Sequence, residues 1–96
     1  MSFWKRIFGG GGSQEPEGPK TTAEVEHNGF VIRAQPYRAG NGQYQTAGIV
    51  MKGEGETLRE HRFVRADSFP SIDDATEFSL RKGRQLVDEQ GERMFR

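Results

Sequence analysis

Residues 61–90 read HRFVRADSFPSIDDATEFSLRKGRQLVDEQ, and part-way along this stretch the hydrophobic period changes from two to about 3.6 residues. Ser71 and Asp74 have the spacing of a helix capping box, with Asp where Glu or Gln is usual. Asp73 and Asp74 also place negative charge where the helix dipole favours it. We therefore predict a strand, a turn, and then a helix that begins near Ile72.

One face of the predicted helix carries most of its small and apolar residues and should lie on a sheet. Val87 and Met94 flank this face. Gly83 stands near its middle, where glycine costs roughly 1 kcal/mol relative to alanine, so we predict a close backbone approach to a strand. We also expect Phe63 and Phe69 to pack on the helix. The face consists of Ala75, Phe78, Ser79, Lys82, Gly83, Leu86 and Gln90.

Upstream, the pattern predicts three more strands with short connections. Asn28-Gly29 is a strong hairpin signal, because both central positions of a type I′ turn need positive φ. The connections are too short for a parallel crossover, so successive strands should be antiparallel. The fold class is therefore α+β: a four-stranded antiparallel meander with one C-terminal helix packed on one face and a flexible N-terminal tail. The predicted strands cover residues 24–27, 30–35, 43–52 and 57–66.

The N-terminal quarter of the chain has its own composition. Four consecutive glycines, followed by Ser13, Pro16 and Pro19, predict a flexible linker over residues 9–22. The linker separates an aromatic and basic head, residues 1–8, from a ββββα domain, residues 23–96. Such a domain is short for a single stable core, so a homodimer is a further expectation.

The composition excludes several classes of protein as descriptions of this chain. The 96 residues contain 14 Lys+Arg, 14 Asp+Glu and no cysteine, which excludes disulfide scaffolds and thiolate chemistry. No apolar run approaches the roughly 20 residues of a membrane span, and the first eight residues lack the features of a signal peptide. We expect a cytoplasmic protein.

The sequence offers no recognisable catalytic or metal-binding constellation. His27 and His61 are the only histidines, and they fall on separate predicted strands without a metal-ligand spacing. Glu24 and Glu26 are explained by a strand edge without catalysis. We therefore expect a protein that is not an enzyme and that uses neither a cofactor nor a metal.

Basic side chains concentrate in the last predicted strand and the helix. They would be the nucleic-acid contacts if they formed one phosphate-tracking face. The alternative is a solvated surface, because acidic residues are interspersed and the helical positions point in different directions. The candidate nucleic-acid contacts are Arg59, Arg62, Arg65, Arg81, Lys82 and Arg84.

The head, MSFWKRIF, combines apolar and cationic side chains. Such a segment could dock in a groove of a partner protein or touch an anionic membrane surface weakly. A terminus that packs on its own chain is the plain alternative. The candidate partner or membrane contacts are Phe3, Trp4, Lys5, Arg6, Ile7 and Phe8.

Several of these segments together resemble a known family. They are HRFVRADSF at 61–69, FSLRKGRQLVDEQG at 78–91 and the start MSFWKRIFGGGG, together with Asn28-Gly29-Phe30 followed by Ile32. The chain resembles the small proteobacterial HlyU-type transcriptional activators. The resemblance covers nearly the whole chain.

The resemblance implies an intracellular bacterial transcription regulator without a cofactor or assigned catalytic residues. Two classes of function follow. The first is a regulator that acts on DNA directly or through a DNA-binding protein. The second is an adaptor that uses the aromatic head on a protein or a membrane surface, with no DNA binding.

Overall fold

The computed structural model describes residues 20–96, so the predicted head and most of the predicted linker lie outside the described residues. Five strands and one α-helix build this part of the chain, with 3-10 helices at Gly55–Thr57 and Gly91–Phe95. The strands are β1 (Ala23–His27), β2 (Phe30–Ala34), β3 (Tyr37–Arg38), β4 (Tyr44–Lys52) and β5 (Arg59–Phe69), and the helix is α1 (Ile72–Gln90).

The strands form an antiparallel meander in which β2 pairs with β1 and β4, and β4 pairs with β5. The short β3 pairs with the start of β4. It keeps the register of the β2–β4 pairing, since Ala34 lies opposite Gly48 and Tyr37 lies opposite Gln45. Pro36 interrupts the ladder because proline has no N–H to donate. The predicted four-stranded meander is therefore confirmed, with β3 as a continuation of β2 beyond Pro36.

The β1–β2 hairpin turns at the predicted dipeptide. Asn28 has φ of 52° and Gly29 has φ of 85°, as a type I′ turn requires. The pairing of His27 with Phe30 closes the hairpin with two turn residues. This turn fixes which residues of β1 share a face with β2.

The last strand begins and ends later than the predicted 57–66. Thr57 Oγ1 donates to the backbone oxygen of Glu54 at 2.8 Å and accepts from the backbone nitrogen of Glu54 at 3.3 Å. These bonds hold Gly55–Thr57 in a 3-10 turn, so β5 starts only at Arg59. At its other end a bulge lets β5 continue until Phe69 pairs with Tyr44.

The helix begins at Ile72, as predicted, behind an N-cap at Ser71. Ser71 Oγ accepts hydrogen bonds from the backbone nitrogens of Asp73 at 3.1 Å and Asp74 at 3.4 Å. These bonds satisfy two of the amide groups that a helix leaves without intrahelical partners. Asp73 and Asp74 place negative charge at the positive end of the helix dipole.

The helix lies closely on β2. A Cβ atom on Gly83 would come within 2.4 Å of Cγ2 of Ile32, so the predicted close approach is confirmed. Phe69 of β5 and Phe78 of α1 pack on each other with ring centroids 5.2 Å apart. The buried core consists of Phe30, Ile32, Val50, Phe63, Leu86, Val87 and Met94.

Substituting Gly83→Ala should lower the free energy of unfolding. The added methyl group collides with fully buried Ile32, at a cost of about 1–3 kcal/mol, which opposes a helix-propensity gain of about 1 kcal/mol. We expect a net loss of about 1 kcal/mol or more, measured by urea denaturation. Arg84→Ala, at an exposed position of the same helix, is the control.

Ile32→Leu removes the branched methyl group, so the double variant with Gly83→Ala should be less destabilised than the two single changes predict together. A Gly83→Ala protein at least as stable as the wild type would contradict the packing described here.

Candidate functional site

The two faces of the sheet differ in what covers them. The helix packs on the face that carries Phe30 and Ile32 of β2 and Val50 of β4. The opposite face, called the open face below, has no helix of the described residues 20–96 packed on it. Cross-strand pairing assigns to the open face Glu24, Glu26, Val31, Arg33, Ala47, Ile49, Met51, Glu60, Arg62 and Val64.

Exposed large apolar side chains concentrate on the open face. Val64 is 54% exposed, and Leu58, just before β5, is 43% exposed. Tyr37 is 45% exposed and extends the same face, because β3 keeps the register of β2. Ile72, 39% exposed, is the remaining large apolar residue of this kind in the described chain, and it lies at the start of α1.

A groove of about 390 Å³ lies on the open face near the β1–β2 hairpin. Val31, Met51 and Leu58 supply its apolar lining. Arg33, Lys52 and Glu54 supply its charged lining. Pairing places Glu26, Val31, Met51 and Glu60 in one row across four strands, so carboxylates stand at both ends of an apolar pair.

Both cations that line the groove are already ion-paired. Arg33 Nε lies 2.6 Å from Oε1 of Glu24. Lys52 Nζ lies 3.0 Å from Oε2 of Glu92 and 4.7 Å from the ring centroid of Phe30, which belongs to the helix side. The hydrogen bond and the positive charge of Lys52 lower the pKa of the Glu92 carboxyl. The groove therefore retains little unpaired positive charge.

The acidic residues around the groove, unlike its two cations, have no ion-pair partner in the described part of the chain. Glu26, Glu54 and Glu60 are exposed, and none of them forms a salt bridge within 4.0 Å among residues 20–96. The apolar lining thus has a rim that is negative at neutral pH.

Two buried acceptors on the same face also lack a donor. The Glu24 side chain is 1% exposed, and its Oε2 has no hydrogen-bond partner in the described part of the chain. Oε1 of buried Gln35 also has no hydrogen-bond partner among the described residues. An unpaired buried polar group costs about 1–3 kcal/mol, but both oxygen atoms are buried and so lie out of reach of a ligand at the surface.

Comparison with known proteins gives one result at the level of the family. A family model described as transcriptional activator HlyU matches residues 2–95. The chain belongs to the HlyU family of transcriptional activators. No curated protein and no solved structure gives a significant match.

Membership in the HlyU family confirms the resemblance and supports a role in transcription regulation in general terms. A family of transcription regulators is in general non-enzymatic. Within residues 20–96, no group of three or more His, Cys, Asp or Glu side chains is arranged to hold a metal ion. No helix in that part of the chain is both long and apolar enough to cross a membrane.

The predicted nucleic-acid contacts of this HlyU-family chain lie on several surfaces. Arg62 belongs to the open face. Arg59 lies on the other side of β5, with Nη1 3.9 Å from Oε1 of Glu92. Lys82 lies on α1, with Nζ 5.2 Å from the ring centroid of Phe78.

The remaining three candidates are exposed. Arg65 lies at the β5 bulge, and its backbone oxygen accepts a hydrogen bond from the Gln45 side chain. Arg81 and Arg84 lie on α1. The structure does not bring the six cations together in one patch, and their contact with nucleic acid stays a prediction.

The head residues Phe3, Trp4, Lys5, Arg6, Ile7 and Phe8 lie outside the described residues. Of the two histidines, His27 has a structural partner, since its Nε2 lies 2.8 Å from Oδ1 of Asp88. This contact ties the β1–β2 hairpin to α1. His61 lies on β5, on the helix side of the sheet.

The sequence reasoning did not single out the groove residues Val31, Met51 and Leu58. One signal was available in Ile49, Val50 and Met51, because three consecutive apolar residues in a strand place apolar side chains on both faces. The position of Leu58 carried no such signal, since it follows from the 3-10 turn before β5.

Lys52→Met should raise the pKa of Glu92 toward its ordinary value. The folded-state pKa is lowered by Lys52, so this pair stabilises the fold above the unfolded-state pKa of Glu92 and loses that effect as the pH falls through the folded-state pKa. NMR titration of the Glu92 carboxyl carbon measures the change.

Arg59→Met is the matched control, because Arg59 is farther from Glu92 and affects its pKa less. An unchanged titration of Glu92 in the Lys52→Met protein would show that Lys52 is not its partner.

Proposed function

We propose that this HlyU-family protein regulates transcription through a protein contact made by its open face, and that its domain does not read DNA bases itself. The observation that carries the proposal is the concentration of exposed Tyr37, Leu58 and Val64 on one face of the sheet. Exposed large apolar side chains that gather on one face of a sheet favour an interaction surface on that face.

The composition of the open face supports a protein partner. Interfaces between proteins have an apolar centre, often with Met and aromatic residues, and a polar rim. The open face has half-buried Val31 and buried Met51, which is 8% exposed, at its centre, and Glu26 and Glu60 at the ends of the same row. An acidic rim of this kind would repel a phosphate backbone and attract a basic protein segment.

The distribution of charge argues against direct readout of DNA by residues 20–96. Twelve cations and twelve acids balance in this part, because Lys5, Arg6, Glu15 and Glu17 lie outside it. A helix-turn-helix motif needs two helices in fixed relation, whereas the described residues form one α-helix.

Direct DNA binding remains the second candidate, because one observation favours it. Arg62, Arg65, Arg81, Lys82 and Arg84 have no carboxylate within 4.0 Å in the described part of the chain. The affinity of such a contact would fall steeply with salt. A plot of log affinity against log salt concentration would have a slope of about −0.9 per phosphate neutralised.

Charge introduced on the open face should abolish regulation without unfolding the protein. Leu58→Asp and Val64→Asp alter exposed side chains, so we expect thermal melting close to that of the wild type and reporter transcription near the level of a deletion strain. Ile72→Asp is the matched control, because it adds the same charge at an exposed apolar residue away from the open face. It should keep wild-type reporter transcription.

The opposite pattern would contradict the proposal. In that case both open-face variants would regulate normally, whereas Arg62→Ala and Arg81→Ala would lose a salt-sensitive association between the purified full chain and promoter DNA.

A further inference from the structure

We infer that the head of the same chain, residues 1–8, docks in the groove of the open face. In this arrangement the apolar head residues contact Val31, Met51 and Leu58, and Lys5 and Arg6 face the acidic rim. The inference rests on the proposed function, since it names what occupies the contact surface until a partner displaces it.

The charges of the two surfaces are complementary. The head contains Lys5 and Arg6 and no acidic residue. The cations of the groove are paired with Glu24 and Glu92, whereas the three acids of the rim form no salt bridge among residues 20–96. A cationic segment therefore gains attraction at the rim without having to break an existing ion pair of the described structure.

The apolar parts also match. The head carries four apolar or aromatic side chains, Phe3, Trp4, Ile7 and Phe8. The groove volume of about 390 Å³ lies in the range of about 300–1,000 Å³ that is usual for sites holding compact ligands. Val31, Met51 and Leu58 form its apolar part, on which a large aromatic side chain can bury apolar area.

Hydrogen-bond donors are a further requirement that the head meets. The exposed carboxylates of Glu26, Glu54 and Glu60 can accept hydrogen bonds and form no salt bridge among residues 20–96. Lys5 and Arg6 each carry several N–H groups and no acceptor. A bound head would thus supply hydrogen-bond donors to the carboxylates of the rim.

The length of the connection suits docking within one chain. Eleven residues, 9–19, separate the head from Lys20, and a glycine-rich chain of this length has a root-mean-square span of about 17–20 Å. The described chain starts beside β1, and the groove lies at the other end of that strand, about 20 Å away at roughly 3.3 Å per residue. The effective concentration of a tethered segment is highest when these two lengths agree.

Trp4 gives the experiment a specific probe, because it is the only tryptophan of the chain. In the purified full chain we expect Trp4 emission at shorter wavelength, and acrylamide quenching several-fold weaker, than in a synthetic peptide of residues 1–8. The difference should be independent of protein concentration.

Charge reversal at the rim should release the head. Glu26→Lys with Glu60→Lys should move Trp4 emission and quenching toward the values of the peptide, whereas Glu77→Lys on α1, also exposed, should not. Lys5→Glu with Arg6→Glu should release the head as well. Combining the head and rim reversals should restore docking, a result that a merely structural effect of the rim residues would not give. Thermal melting verifies that each variant is folded.

The inference fails if Trp4 is as exposed in the full chain as in the peptide. It also fails if the shift in Trp4 emission grows with protein concentration, because the head then binds a second copy of the chain. A shift that appears only when anionic phospholipid vesicles are added would overturn it as well. None of these results bears on the proposed function, which fails separately if Leu58→Asp and Val64→Asp leave reporter transcription unchanged.

Discussion

The contact between Gly83 of α1 and Ile32 of β2 is the constraint on which the arrangement of this domain depends. Ile32 is fully buried, and there is no room for a side chain between the helix backbone and its branched methyl group. Because the helix can approach this closely only through Gly83, it is held on one face of the sheet. Leu86 and Val87 then join Phe30 and Val50 in a single core.

The same constraint leaves the other face of the sheet without an α-helix from residues 20–96. After α1 the chain continues as a 3-10 helix that buries Met94 in the same core, and Phe95 stacks on Phe30 with centroids 6.0 Å apart. The C-terminal end therefore adds to the covered side. The open face keeps a row of two apolar residues between two glutamates, a composition better suited to binding a basic or apolar segment of protein than to following a phosphate backbone.

The sequence predicted those features that depend on neighbours along the chain. The Asn28-Gly29 turn, the helix start behind Ser71 and the close approach at Gly83 each follow from local chemistry. The limits of β5 do not follow from local chemistry, because they depend on side-chain hydrogen bonds of Thr57 and on the pairing of Phe69 with Tyr44 across the sheet. The groove was missed for the same reason, since Met51 and Leu58 meet only after β4 and β5 pair. The basic residues were found by composition, but strand alternation and helical rotation distribute them over several surfaces.

Site-specific photo-crosslinking in living cells tests most directly whether the open face is the contact surface. A photoreactive residue in place of Val64 should give one protein adduct of defined mass, which excess wild-type chain suppresses and excess Leu58→Asp chain does not. The same residue in place of Glu77, on the helix, should give no such adduct. Adducts formed from position 77 and not from position 64, or nucleic acid recovered in place of protein, would contradict a regulator that works through its open face.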